Sequence, residues 1–328
     1  MPKSESSPSQ RASKKRRALK CVAILIVLWL VGDFGYSQYV GWKIRQWESQ
    51  VPWSDGGFVP DAQEVSYKAD QPSDTVLLMV HGFSDTPQMY RKIAPELASR
   101  GYDCSTLLLP GFGKNVEAYA AGRSSEWVAA VDKRLAELHE QYGHVVLVAH
   151  SLGGAISINQ TLDGDVKTDA LVLIAPAIEV SNIRSPILPT RFWHEFSKYV
   201  LPFSTITYSP FDMDAKDPSE QDRPLRNRFS PRTVVDETFL LTDKNRGRAG
   251  EIRCPTLVFN AVQDQVVDSP AIDLFFKECG ASQKEIVHLS ESGHMVPVDL
   301  EWKTVVAKIH AFLSVDSGAT SQDDGSPK

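Results

Sequence analysis

The stretch that decides the fold is residues 144–154, HVVLVAHSLGG. Five of its first six residues are apolar, which predicts a strand buried inside a sheet. Ser151 follows, just before a predicted helix over residues 153–162. The small side chains of Ala149 and Gly153, two positions to either side, permit the sharp strand–turn–helix geometry that presents a serine hydroxyl at the edge of a sheet. We therefore interpret Ser151 as a nucleophile.

Short apolar runs and amphipathic stretches alternate on both sides of this segment. The predicted strands are residues 75–80, 104–109, 144–149, 170–175, 256–261 and 284–289, and the further predicted helices are residues 88–100, 125–142, 271–279 and 302–313. Val- and Leu-rich strands separated by helices predict an α/β fold with a mostly parallel central sheet and helices on both faces. The chain of 328 residues is long enough for one large domain, which we place at residues 61–314.

Residues 178–250 interrupt the alternation between two predicted strands. They contain seven prolines, several aromatic residues and many charges. Ligands bind at the carboxyl ends of the strands in open α/β sheets. An insertion at that edge is therefore predicted to form a cap over the active site.

A serine nucleophile needs a general base, because its hydroxyl is weakly nucleophilic at neutral pH. Among the eight histidines, His294 lies in the loop ESGHM, just after the last predicted strand. Loops at the carboxyl edge of a parallel sheet commonly carry catalytic residues. We predict that His294 is the base.

The histidine needs a carboxylate to hold its tautomer and stabilise its charged form. Asp264 follows the predicted strand at residues 256–261, and the order Ser, Asp, His along the chain suits this chemistry. Asp268 is the competing candidate. Its place ahead of Pro270 predicts instead the N-cap of the next helix. We therefore predict that Asp264 is the third catalytic residue.

Stabilising a tetrahedral intermediate requires two N–H donors at an oxyanion hole. One is predicted to be the backbone amide of Leu152, directly after the nucleophile. The other is predicted to be the amide of Phe83, in the loop HGFSD that follows the strand at residues 75–80. Gly82 would let this loop approach the nucleophile closely.

The N-terminus has a separate pattern. Residues 1–20 contain seven Lys or Arg and one acid, and the apolar run CVAILIVLWLVG follows at residues 21–32. A basic segment before an apolar run is typical of an export signal, and no good cleavage motif follows. We predict a cytoplasmic segment at 1–20, a transmembrane signal anchor at 21–42, a linker at 43–60 and the remainder outside. The alternative is a cleaved signal peptide.

Charge and cysteine usage argue against nucleic-acid binding and against a metal site made of cysteines. The net charge is −6, and because residues 1–20 carry +6, the remainder carries −12. A chain region with this net negative charge is not predicted to bind nucleic acid, because binding phosphate needs a basic surface. The four cysteines are too scattered to form a metal site, and the polar residues 315–328 are predicted to be a disordered tail.

These motifs together resemble the α/β-hydrolase superfamily, most closely the bacterial carboxylesterases and monoacylglycerol lipases, a group also classed with serine aminopeptidases. The motifs are His81-Gly82-Phe83, Pro110-Gly111-Phe112-Gly113, His150-Ser151-Leu152-Gly153-Gly154, Asp264 and Ser292-Gly293-His294. The resemblance covers residues 62–314 and implies an eight-stranded sheet, a cap after the sixth strand, no metal and no cofactor. Two departures are Ala149 in place of the usual glycine and the N-terminal anchor. With the anchor, the resemblance implies a single-pass protein of the bacterial inner membrane whose catalytic domain lies on the periplasmic side.

The function that we expect is hydrolysis of carboxylic esters through an acyl-enzyme intermediate. Aromatic residues in the cap fit lipid-derived esters such as monoacylglycerol or lysophospholipid; they are Phe192, Trp193, Phe196, Tyr199, Phe203 and Tyr208. An amidase, aminopeptidase or thioesterase with the same three residues is one alternative, and an aminopeptidase would need cap acids such as Glu195, Asp212 and Asp214. A non-catalytic binding scaffold is the other alternative. The oligomeric state is left open by the sequence.

Overall fold

The computed structural model of the chain describes residues 8–185, 187–220 and 227–319. The helices are α1 (Pro8–Gln50), α2 (Ile93–Ala98), α3 (Val116–Ala121), α4 (Ser124–His139), α5 (Leu152–Asp163), α6 (Thr190–Val200), α7 (Arg232–Asn245), α8 (Ser269–Glu278) and α9 (Trp302–Ala319). The strands are β1 (Ser66–Tyr67), β2 (Thr75–Val80), β3 (Asp103–Leu107), β4 (His144–His150), β5 (Ala170–Ile174), β6 (Ile206–Tyr208), β7 (Phe229–Pro231), β8 (Thr256–Ala261) and β9 (Lys284–Leu289).

The central sheet has the strand order β1-β3-β2-β4-β5-β8-β9. Only β1 runs antiparallel to its neighbour, and the other pairs are parallel. Successive residues of each buried strand alternate between two apolar cores. Val145 and Leu147 of β4 pack with α4, α5, α7 and α8 on one face, whereas Val146 and Val148 pack with α2 and α9 on the other. The predicted α/β fold with a mostly parallel sheet is confirmed.

The sheet has seven strands within the described residues, whereas the family resemblance implied eight. The reason lies before β1, where α1 continues to Gln50 and residues 54–58 form a hydrogen-bonded turn. This segment therefore supplies no further strand. As a result, the cap follows the fifth strand of the sheet rather than the sixth.

Most predicted helices and strands have ends within three residues of the expected ones, but two helices differ more. The helix predicted at residues 88–100 is split into a 3-10 turn at Pro87–Tyr90 and α2. Pro95 has no N–H to donate to the carbonyl of Arg91, and its ring would clash there, so one continuous helix cannot form. The last helix runs to Ala319, so it includes residues 315–319 of the predicted tail, and residues 320–328 lie outside the described part.

The N-terminal helix is longer than the predicted anchor at residues 21–42. It includes residues 43–50, which were predicted to belong to the linker, and it ends where Pro52 disfavours helical geometry at Val51. The stretch Lys15–Gln50 contains a window of mean hydropathy 2.0 and is long and apolar enough to cross a membrane. By length and composition alone, such a helix near an N-terminus fits either an anchor or a signal sequence.

The second half of α1 packs against the cap. The buried Asp33 carboxylate accepts hydrogen bonds from the Phe203 N–H (2.9 Å) and the Ser204 hydroxyl. The Tyr36 hydroxyl accepts one from the Tyr208 N–H, at 3.2 Å. Further along α1, Val40, Ile44 and Trp47 pack with residues of the two-stranded sheet β6–β7. Residues 33–50 are therefore built into the folded domain, and the linker boundary predicted at residue 43 falls inside this interface.

Candidate active site

Ser151 occupies the turn between β4 and α5. Its φ of 54° and ψ of −119° lie in a region that residues with a side chain rarely adopt, so its backbone is strained. Two backbone hydrogen bonds at the end of β5 stabilise this conformation. The Ser151 N–H donates to the Ile174 carbonyl (3.1 Å), and the Ser151 carbonyl accepts from the Ala177 N–H (2.9 Å). The turn presents the Ser151 hydroxyl at the carboxyl edge of the sheet.

Two glycines allow this turn to lie close to its neighbours. A Cβ atom on Gly82 would lie 2.9 Å from the Ser151 Cβ, and one on Gly153 would overlap the Val80 carbonyl oxygen. Neither position can carry a larger side chain without moving the backbone. These two glycines thus bring the loop after β2 and the start of α5 against the nucleophile.

The structure brings Ser151, His294 and Asp264 together, as the sequence predicts. The Ser151 Oγ lies 2.8 Å from His294 Nε2, and His294 Nδ1 lies 2.7 Å from Asp264 Oδ2. All three side chains are buried. The three residues form one continuous line of hydrogen bonds from the serine hydroxyl to the carboxylate.

The Asp264 carboxylate is held in its charged form. Its other oxygen, Oδ1, accepts hydrogen bonds from the N–H groups of Val266 (2.7 Å) and Val267 (2.8 Å). Burial works to raise the Asp264 pKa, but the charge and hydrogen bond of His294 and the two backbone donors together hold that pKa below its ordinary value. An ionised carboxylate can only accept, so His294 carries a proton on Nδ1, which leaves Nε2 to accept the serine proton.

The competing carboxylate, Asp268, has another role. Its side chain accepts a hydrogen bond from the Ala271 N–H at 3.0 Å and caps the N-terminus of α8. This confirms the predicted cap.

The amides of Phe83 and Leu152 flank the Ser151 turn. Within the described residues, neither N–H donates a hydrogen bond to another protein atom, so both remain available to a ligand oxygen. The loop that contains Phe83 is held by His81, whose Nε2 accepts from the Leu109 N–H (3.2 Å) and whose Nδ1 donates to the Gly82 carbonyl (3.0 Å). His81 therefore supports the loop.

His150 is a residue whose function sequence reasoning missed. Its buried ring lies under His294, and its Nε2 donates to the His294 carbonyl at 2.9 Å. It thus supports the backbone of the base. Its position beside the nucleophile in the motif was a signal, but only the folded chain brings it to a residue 144 positions away.

Two further supports come from aspartates. The buried Asp214, in the cap, accepts hydrogen bonds at Oδ2 from the N–H groups of Gln265 (2.8 Å) and His294 (3.2 Å). Asp299 accepts from the N–H groups of Gly293 (2.7 Å) and Lys216 (2.9 Å). The two carboxylates tie one cap segment to the loops of both Asp264 and His294. No local sequence pattern distinguished either residue for this role.

Two of the three acids considered for binding a substrate amine, Asp212 and Asp214, line the cavity beside His294, whereas Glu195 lies on α6. Each acid already has a partner among the described residues. The Asp214 carboxylate binds backbone N–H groups, Glu195 pairs with Lys198, and the exposed Asp212 side chain lies 3.5 Å from Arg228.

A cavity of about 260 Å³ lies between the cap and the body. The body contributes Phe83 and His294, and the cap contributes Arg184, Phe211 and Met213, among others. The cavity therefore opens onto the base and onto one of the free amides. Its walls combine apolar side chains with charged ones of both signs, Arg184 and Arg228 with Asp212 and Asp214. Its size suits part of a small ester substrate.

Replacing Asp214 by alanine is expected to lower kcat about 10- to 100-fold with a smaller change in KM. Alanine removes the oxygen that accepts from the Gln265 and His294 N–H groups, so the His294 loop should shift relative to Ser151. Steady-state kinetics test this. Asp212→Ala, two residues away and exposed, is the matched control and should keep wild-type kcat. Equal effects of the two substitutions would contradict a positioning role for Asp214.

The stability of the protein is expected to fall at mildly acidic pH. Burial lowers the pKa of His81 to about 4, and burial together with the charge of His294 lowers the pKa of His150 to about 3. In the unfolded chain both titrate near 6.5, so between pH 6.5 and 4 the unfolded state binds protons that the folded state does not. The free energy of unfolding should be intact above pH 7 and about 4 kcal/mol lower at pH 5.

Urea unfolding at pH 7, 6 and 5 measures this dependence. His150→Gln, which keeps a donor toward the His294 carbonyl, should remove roughly half of the pH dependence. His144→Gln, at an exposed position at the start of β4, is the control and should change nothing. Equal stability of the wild type at pH 7 and pH 5 would show that these histidines are not held neutral by burial.

Comparison with known proteins gives matches over most of the chain. The family described as serine aminopeptidase, S33, matches residues 71–301. The chain is 25% identical over 247 residues to the thermostable monoacylglycerol lipase of Bacillus sp. (strain H-257), a match that covers 74% of this chain and 91% of that protein. It is 23% identical to the carboxylesterase of Bacillus subtilis (strain 168) over 241 residues, which cover 73% of this chain and 92% of that protein.

Solved structures agree on the fold. A soluble variant of the monoglyceride lipase from Saccharomyces cerevisiae, in complex with a substrate analogue, superposes with a TM-score of 0.68. The two chains are 15% identical, and the superposition covers 80% of this chain and 97% of the other. The yeast protein therefore shares the fold of this chain.

Proposed function

Because the chain belongs to the serine aminopeptidase S33 family and has the α/β-hydrolase fold, we propose that it is a membrane-anchored serine hydrolase of carboxylic esters. Ser151 is the nucleophile, His294 the general base, and Asp264 the carboxylate that orients the base. The observation that carries the proposal is the unbroken line of hydrogen bonds from Ser151 Oγ through His294 to Asp264, beside the cap cavity.

The reaction follows from the positions of these groups. Ser151 Oγ attacks the ester carbonyl while His294 Nε2 takes its proton, and the amides of Phe83 and Leu152 stabilise the oxyanion. His294 then returns the proton to the leaving alcohol, and an acyl-enzyme remains on Ser151. Water repeats the two steps and releases the acid. Asp264 stabilises the imidazolium formed in each half-reaction.

The substrate that we propose is a lipid-derived ester, such as a monoacylglycerol or a lysophospholipid. Two of the similar proteins are named as a monoacylglycerol lipase and a monoglyceride lipase, which supports a substrate with a single acyl chain. Exposed aromatic residues on the cap and an apolar N-terminal helix support action on lipids.

We further propose that α1 is retained as an anchor and is not removed as a signal peptide. Signal peptidase would have to cut in the few residues after the apolar run that ends at Gly32. Those residues are helical, and Asp33 and Tyr36 bind the cap through hydrogen bonds. Together with the basic residues 1–20, this supports a single-pass protein of a bacterial inner membrane with its catalytic domain on the periplasmic side.

A second candidate function is amide or aminopeptide cleavage, which the description of the matched family favours. The same three residues could perform it. Asp212 and Asp214 line the cavity, but Asp214 already binds two backbone N–H groups and Asp212 pairs with Arg228, which argues against either acid binding a substrate amine. A non-catalytic scaffold is disfavoured because all three buried side chains are present in hydrogen-bonded geometry.

The test compares esters and amides with the full-length protein in detergent micelles. Residues 33–50 should be kept, because they pack against the cap. Monoacylglycerols and p-nitrophenyl esters of increasing acyl length are measured beside aminoacyl p-nitroanilides. We expect turnover of the esters, with an optimum at long acyl chains, and little cleavage of the anilides. Faster cleavage of the anilides would replace the esterase proposal with the aminopeptidase one.

A further inference from the structure

The cap helix α6 has its apolar face turned away from the protein. Its four aromatic side chains lie along one side of the helix and are between 42% and 82% exposed; they are Phe192, Trp193, Phe196 and Tyr199. A helix at the surface of a soluble domain normally buries such a stripe against the core. In α6 none of the eleven residues is buried.

The polar side of α6 faces the neighbouring helix α7 instead. Arg191 binds Asp243 at 2.8 Å, and both His194 (2.7 Å) and Lys198 (2.6 Å) bind Asp236. Both aspartates lie on α7, the neighbouring cap helix. These ion pairs fix the rotation of α6, so its aromatic side cannot turn inward without breaking them.

The aromatic stripe belongs to a larger apolar patch, which we call the cap patch and define as the exposed apolar side chains from Ile183 to Phe211. Nine of the fourteen large apolar side chains exposed outside α1 lie in this short stretch, within the described residues. Exposed apolar side chains are ordinarily scattered, and a concentration of this kind marks an interaction surface.

The position of α1 identifies what covers the cap patch. The apolar run of α1 ends at Gly32, and the next two residues contact the cap: Asp33 binds Ser204, and the Phe34 ring meets Phe203 with centroids 5.7 Å apart. The helix α6 ends at Val200, three residues before Phe203. The cap patch is thus attached to α1 at the level where its apolar run ends.

We infer that α6 lies in the interfacial layer of the same bilayer that α1 crosses, with its aromatic side inserted among the lipid acyl chains. This inference rests on the proposed anchor and goes beyond it, because it assigns a second membrane contact to the cap. Amphipathic helices with aromatic residues on one side insert roughly 5–10 Å into this boundary. The cap, which roofs the active-site cavity, is then held at the membrane surface, where a single-chain lipid ester can enter from the bilayer.

The test measures the depth of α6 in a membrane without relying on activity. Full-length protein with Cys21→Ala and Cys254→Ala receives one new cysteine, either Phe196→Cys on α6 or Leu274→Cys on α8, and is labelled with bimane. Leu274 is the matched control, because it is an apolar residue that is 55% exposed on the body. The remaining cysteines, Cys104 and Cys279, are buried, and the parent chain should take up no label. Each protein is placed in phosphatidylcholine–phosphatidylglycerol nanodiscs with or without acyl-chain bromination.

The expected result is that brominated lipid quenches most of the fluorescence at position 196 and little at position 274, whereas iodide does the reverse. Quenching of both labels by iodide alone would overturn the inference, because α6 would then face water. Protection of position 196 from both quenchers would also overturn it, since another protein surface would then cover the patch.

A second measurement separates this inference from the proposed function. The triple variant Phe192→Ser, Phe196→Ser, Tyr199→Ser should hydrolyse a soluble short-chain ester at the wild-type rate, but should be markedly slower on monoacylglycerol embedded in nanodiscs. Equal rates of variant and wild type on the embedded substrate would contradict the inference and leave the esterase proposal intact. If the wild type cleaves no ester, the esterase proposal fails, and the quenching result still decides the position of α6.

Discussion

Replacing Ser151 by alanine is expected to lower kcat for ester hydrolysis by about five to six orders of magnitude. The substitution removes the atom that forms the acyl-enzyme, and no other side chain occupies the position 2.8 Å from His294 Nε2 in the described structure. The residual rate would come from the oxyanion-hole amides and from substrate binding alone. Full-length variant and wild type are compared on the preferred ester in detergent micelles.

A serine on α5 provides the control for Ser151→Ala. Ser157 is buried, and its hydroxyl has no hydrogen-bond partner in the described part of the chain. Ser157→Ala should therefore keep both activity and stability close to the wild type. If Ser151→Ala retained a substantial part of the wild-type kcat, covalent catalysis by Ser151 would be refuted.

Replacing Asp264 by asparagine is expected to reduce kcat roughly 10⁴-fold while the protein remains folded. Asparagine fits the same space, but its NH₂ group can face His294 Nδ1 as a donor. The ring would then carry its proton on Nε2, where it can no longer accept the Ser151 proton. Single-turnover kinetics, which follow formation of the acyl-enzyme, measure the loss directly.

Asp268→Asn is the control for this substitution. Asp268 caps α8 and lies four residues from Asp264, and asparagine caps helices about as well as aspartate. We expect wild-type kcat for this variant. A loss of kcat as large as that of Asp264→Asn would show that Asp264 is not the only carboxylate that orients His294.

The cap contributes to the site as well as covering it. Asp214 and Lys216 belong to one cap segment, which the Asp214 and Asp299 carboxylates fasten to the loops of Asp264 and His294. The same cap binds α1 through Ser204 and carries the cap patch. Displacing the cap would therefore disturb the loop of His294 directly.

The sequence by itself determined the fold class and the choice of Ser151, Asp264 and His294. Alternation of apolar strands and amphipathic helices is a local pattern, and parallel strands bring their following loops to one edge. A serine in a small-residue turn, and an aspartate and a histidine each directly after a strand, could therefore be predicted to meet. Their hydrogen-bonded arrangement is observed, and their catalytic roles stay predictions.

Tertiary structure alone decided the features that depend on distant contacts. Asp33 and Ser204 are 171 residues apart, and the contact between them joins the second half of α1 to the cap. No local pattern in the sequence predicts this contact. The roles of His150 and Asp214 depend on backbone groups of the His294 loop, which no local pattern places near them. The orientation of α6 could not be read from its amphipathic pattern, because the pattern defines two sides, and only the ion pairs to α7 decide which side faces the protein.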